Sequence, residues 1–272
     1  NLESSRQSFC EQTLRLDTDQ SKAIIEICMA DCFIHEYNNQ LVKVWPSASK
    51  ARAAIDEKVL TAVLDWVFEL SAELEYGRQT THLAIRMLYN FITSTEVLDL
   101  DKLQLNALTC LFIASKIEEV KFADPRKLIK SLEPKHSLDD LIANEIVVLA
   151  CIKQYLHVHN PYVLLQAVQM KWDAHVEASL LKNESFFEFI PSFRSKSFEN
   201  YTLHKVSAEI LDYGLSKLST IKLMPLPLTC LAFAFSLLKM RKGCENQLIM
   251  YISEFLYENR LIECESTFIQ LL

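Results

Sequence analysis

Residues 102–119 read KLQLNALTCLFIASKIEE. Between Leu103 and Ile113 only Gln104, Asn106 and Thr109 interrupt a run of Leu, Ala, Cys, Phe and Ile. A helix that is apolar almost all round is enclosed by other elements, whereas a surface helix shows one apolar stripe. Asp99 or Asp101 can cap its start, and Lys116 with Glu118-Glu119 closes it as a charged end. The stretch therefore predicts a buried central helix with other helices packed around it.

The flanking sequence supplies those helices. Upstream, apolar spacing predicts a helix over 19–42, capped by Asp19 or Ser21 and ended by Trp45-Pro46. A second runs over 50–74 and is broken by Gly77. A third covers 80–93, with Leu83, Ala84, Met87, Leu88 and Phe91 on one face. Downstream, Pro125 suits the first turn of a short helix, and another helix runs over 138–152. Asn160-Pro161 then makes a fresh start. A helix runs from Tyr162 to Trp172, its continuation to Leu181 open, and 183–197 is aromatic and irregular around Pro191. Further helices are expected over 198–218, 226–241, 245–257 and 259–271. Leu108-Thr109-Cys110-Leu111 recurs as Leu228-Thr229-Cys230-Leu231, each copy in the most apolar helix of its half. With the matching helix order, this points to two copies of one five-helix unit. The expected fold is all-α, with a lead-in and N-terminal helix over 1–45, a first unit over 46–158 and a second over 159–272.

Composition narrows the function. Three glycines in 272 residues are too few for the tight turns of a barrel or sandwich, or for a phosphate-cradling loop. The formal charge is −7, and the strongest basic run is Lys239-Met240-Arg241-Lys242, so nucleic acid is not an expected partner. The longest apolar run, Leu226–Leu238, is too short to cross a membrane, and residues 1–18 are polar rather than leader-like, so a soluble intracellular chain is expected. None of the eight cysteines forms a CxxC pair, and several sit in apolar runs, which fits buried thiols better than zinc or disulfides. There is no GxSxG, HExxH or Walker loop. His157 and His159 are close in sequence, but no neighbouring cysteine or acidic pair completes a metal set. No catalytic residue, metal or cofactor is expected.

The motifs also carry a resemblance. KLQLNALTCLFIASKIEE resembles the third helix of a cyclin box, with its Leu-Gln-Leu, Ala-Ser-Lys and Glu-Glu. VLDWVFEL at 63–70 is similar to the Asp-Trp signature of the first box helix, and Glu145 falls where cyclins place a glutamate in the fifth. Asn160-Pro161 and Leu226–Leu238 resemble the opening and third helix of a second cyclin fold. The resemblance covers about residues 20 to 270 and is nearer to cell-cycle cyclins than to transcriptional ones. It implies two tandem five-helix cyclin-box domains forming a regulatory subunit, not an enzyme, that activates a cyclin-dependent Ser/Thr kinase. Such a subunit is expected in the nucleus, the cytoplasm or both.

The same resemblance implies site residues. Lys116 and Glu145, with Ile117 and Glu118 beside them, become the kinase-binding set. Val59, Ala62, Val63 and Trp66, with Glu69 and Gln104, become a docking groove for substrates or inhibitors bearing an Arg/Lys-x-Leu motif. The family's Met-Arg pair is replaced by Val59-Leu60, and its isoleucine or leucine by Ala62, which implies a shallower groove. Two other readings compete: a cyclin-fold transcription factor, expected to be basic, and a kinase-independent scaffold.

Overall fold

The computed structural model describes residues 55–95, 98–132, 136–152, 160–181, 193, 198–217, 225–240, 245–262 and 265. Every regular element among the described residues is helical. The first five helices are α1 (Glu57–Glu73), α2 (Arg78–Ser94), α3 (Leu103–Glu118), α4 (Pro125–Leu128) and α5 (Leu138–Cys151). Four more follow: α6 (Pro161–Leu181), α7 (Phe198–Ser216), α8 (Pro225–Met240) and α9 (Glu245–Glu258). The helix expected over 19–42 lies outside the described residues, as do His157 and His159.

Local chemistry sets most boundaries. The Asp56 carboxylate caps α1, Asp124 caps α4 and Ser137 forms a capping box with Asp140 at α5. A 3-10 turn over Leu100–Lys102, capped by Asp99, leads into α3. The break after α1 differs from expectation. Gly77 has an ordinary φ of −67° and serves as the N-cap of α2. The residue that turns the chain is Glu75, at a left-handed φ of 58°. Similarly, Arg260 at φ 55° follows the end of α9, so residues 259–262 are not helical where the spacing predicted they would be. Helix α6 does continue to Leu181.

The apolar side chains form two clusters. One holds buried residues from Ile55 to Ile152, the other from Leu164 to Leu261, and Phe68 packs against both. In the first, α3 contacts α1, α2, α4 and α5, and its Leu103 and Leu105–Ser115 are buried. In the second, α8 contacts α6, α7 and α9. The repeated Leu-Thr-Cys-Leu therefore lies in the central helix of each cluster, with both cysteines fully buried. Each buried Leu or Phe stabilises the fold by roughly 1.5–3 kcal/mol, which is why an enclosed helix needs apolar residues on every side.

A candidate protein-binding face on α3 and α5

The packing of α5 on α3 brings Lys116 and Glu145 together across 29 sequence positions: Nζ lies 2.5 Å from Oε1. Asn144, next to Glu145, fixes the register by donating to Asn106 Oδ1 at 3.0 Å and Thr109 Oγ1 at 2.8 Å. The Lys116 ammonium also sits 3.9 Å from the Phe112 ring centroid. Phe122 meets the same ring edge-on, centroids 6.3 Å apart.

Exposed apolar side chains occur on the same stretches of α3 and α5 and just after α3. Ile142 and Ile146 flank Glu145 at helical spacing, and with Ile117 and Phe122 they are between 46% and 67% exposed. Val147 and Val120 are exposed nearby in sequence. Several exposed aliphatic and aromatic groups beside charged ones make this face a candidate interaction surface. The pair stays partly open to solvent, with the Lys116 side chain 34% and the Glu145 side chain 18% exposed.

The two glutamates that close α3 behave differently. Glu118 is exposed, and local desolvation together with Glu119 raises its carboxyl above the usual range. Glu119 instead turns back and accepts hydrogen bonds from the Gly77 backbone N–H at 2.9 Å and the Thr80 hydroxyl at 2.5 Å. The solvated helix end expected for the pair therefore holds for Glu118 only.

On α1, Val59 and Ala62 are exposed, while Val63 and Trp66 are half-buried against the first cluster. Leu60, which replaces a basic residue of the family pattern, is buried in the core. Glu69 is exposed on the same helix, and half-buried Gln104 lies in the first turn of α3, which packs on α1. The stripe is both surface and core wall, neither purely one nor the other.

A third constellation has no counterpart in the sequence reading. Asp212 of α7 accepts from Arg78 Nε at 2.9 Å and from His82 Nε2 at 2.6 Å. Burial holds His82 below the ordinary imidazole value; its Nδ1 is buried without an acceptor, so protonation would strand a donor. Burial alone would raise the Asp212 carboxyl, but the hydrogen bonds from His82 and Arg78 and the Arg78 charge bring it below the usual range. Partners 130 positions apart leave no local signal in a sequence. Elsewhere, burial pushes the Cys110 and Cys230 thiols upward, away from reactive thiolate. Among the described residues no three His, Cys, Asp or Glu gather as a metal site, and no helix is long and apolar enough to cross a membrane.

Fold and surface together define an all-helical protein of two tandem bundles with an exposed apolar and charged face on the first. The family described as Cyclin, N-terminal domain, matches residues 29–157. Cyclin-A1 of Xenopus laevis is 28% identical over 196 residues, covering 64% of this chain and 46% of the relative. G2/mitotic-specific cyclin-2 of Antirrhinum majus is 25% identical over 161 residues, covering 54% of this chain and 36% of the relative. The X-ray structure of a viral cyclin from herpesvirus saimiri shares the fold, with a TM-score of 0.57 at 15% identity over 79% of this chain and 83% of that one. The match to the cyclin N-terminal domain takes in the whole first cluster, and the curated relatives the chain matches are cell-cycle cyclins of the A and B types. The chain spans less than half the length of the first of those relatives.

Proposed function

We propose that this chain binds and activates a cyclin-dependent Ser/Thr protein kinase through the face centred on Lys116 and Glu145. The observation that carries the proposal is the presence of exposed apolar side chains, Ile117, Phe122, Ile142 and Ile146, on or just after the same stretches of α3 and α5 that bring Lys116 and Glu145 together. In cyclins the corresponding lysine and glutamate contact the kinase backbone and its αC region. Covering the exposed apolar side chains would gain about 25 cal/mol per Å² removed from water. It would also desolvate the pair, so that truncating either member then costs ~2–5 kcal/mol.

The mechanism is a population shift. A kinase with αC displaced lacks the Lys–Glu pair that positions the ATP phosphates. A subunit that packs better on the active position of αC moves the equilibrium by its differential affinity. This chain would supply contact surface and no catalytic group. The acidic balance of the chain favours this reading over a DNA-binding one. On the same reading α1 offers Val59, Ala62, Val63 and Trp66 to the apolar residue of an Arg/Lys-x-Leu motif, with Glu69 available to its basic residue. The bundle beginning near Asn160 would support the first. Lys116→Ala and Glu145→Ala are each expected to abolish kinase co-purification while the helical circular dichroism stays unchanged. Retained binding by both variants would sink the assignment.

A further inference from the structure

The first turn of α2 is held from two sides at once. Its N-cap, Gly77, has no side chain to satisfy the free backbone N–H groups of a helix start. The carboxylate of Glu119, at the end of α3, takes that role and binds Thr80 one turn in. Just before it, Tyr76 accepts a hydrogen bond from the Ala123 N–H at 2.8 Å, tying the turn to the segment after α3. A negative charge at this end is also favoured by the helix dipole.

The second bundle grips the alternate residues of the same turn. Arg78 and His82 converge on Asp212 of α7. Asn160 donates to the Gln79 carbonyl at 2.7 Å, while its own side-chain oxygen caps α6 by accepting from the Tyr162 N–H at 3.0 Å. His82 is fully buried between Phe68 of α1 and Tyr162 of α6, at centroid distances of 6.2 and 5.7 Å. Successive helix residues point about 100° apart, so a single turn can face α3 with some residues and α6 and α7 with the others. Apart from the local Asn160 cap, each of these polar contacts joins elements far apart in sequence.

We infer that this turn, residues 77–82, couples the partner-facing end of α3 to the second bundle, with Glu119 and Asp212 as positioning residues on its two sides. Glu119 lies three positions after Lys116, one helical turn along from the residue proposed to meet the kinase. The second bundle thereby sets the partner-facing end without touching a partner. Its consequence for a kinase rests on the proposed function, but the coupling is a property of the chain alone.

Amide hydrogen exchange on the full chain tests it without a kinase. Asp212→Asn should accelerate exchange over residues 78–84 and also over 116–119, which Asp212 does not touch. Glu119→Gln should do so over 78–84 and over 208–216 of α7. The expected acceleration is roughly tenfold or more, the scale of losing one charge-assisted hydrogen bond. Glu254→Gln, exposed on α9, is the control and should change neither region. Acceleration confined to the substituted residue's own contacts would overturn the inference. If Asp212→Asn does not fold, Arg78→Met removes one of its two donors and is read the same way. Loss of kinase binding plays no part in the outcome, so failure of the kinase reading and failure of the coupling are distinguishable.

Discussion

Asn144 shows how much can rest on one side chain. Its amide holds Asn106 and Thr109, both buried in α3, and so sets the angular position of neighbouring Glu145. Asn144→Ala leaves buried polar groups short of a partner and should cost ~1–3 kcal/mol in urea denaturation. No change in the denaturation midpoint would mean that apolar packing alone sets the register. Gly214 is a second such position. A Cβ there would lie 2.6 Å from Leu228 Cδ1, so any larger residue forces that buried leucine of α8 to move. Gly214→Ala is expected to lose ~1–3 kcal/mol through overpacking, seen as a lowered Tm. At this scale the sequence was legible only where a residue announces its own surroundings. Lys116 and Glu145 were singled out by a spaced motif, and the structure brings the two side chains together. Glu119 was not, because a carboxylate that turns inward to cap another helix has the same local sequence as one in solvent. His82 and Asp212 were not, because neither carries a sign of the other.

The elements were easier to read than their faces. An unbroken apolar middle made α3 a buried axis and Pro125 marked the start of α4, whereas α1, read from residue 50, begins only at Glu57 because the Asp56 carboxylate caps it there. Helix α5 shows the limit. It buries Leu141 and Val148, seven apart, while Ile142, Ile146 and Val147 remain exposed, and periodicity alone does not say which apolar residues are surplus to the core. The turn after α1 was placed near Gly77 because glycine is the usual residue for a positive φ; Glu75 took that conformation instead. The stripe on α1 carries its own prediction. An Arg-x-Leu peptide should bind weakly, and Ala62→Leu should tighten it by up to ~3 kcal/mol in fluorescence polarisation by restoring methylenes to the groove. Unaltered affinity would remove Ala62 from any docking role.

At the level of the whole molecule, the two bundles are joined by a buried neutral histidine, and this gives stability a pH dependence of definite sign. His82 sits below its ordinary value of 6.5, so under acid the unfolded chain binds the proton that the native state refuses. Its contribution is complete above that value and is lost as pH falls through the depressed native one. Asp212, also lowered, adds the same sign further down, above 3.8 and lost below it. His204, lowered by burial and by Arg78, acts with His82. Tm should therefore fall between pH 7 and 5, and His82→Gln, which can still donate to Asp212, should flatten that fall. An equal slope in the variant would show that the protons bind elsewhere. The central claim is that the α3–α5 face switches on a kinase, and its most direct test is enzymatic. A panel of purified cyclin-dependent kinases is assayed for Ser/Thr substrate phosphorylation with the chain, its Lys116→Ala variant or its Glu145→Ala variant. On the proposed function, at least one kinase is activated by the unaltered chain and by neither variant; activation of none, or equal activation by all three, would contradict it.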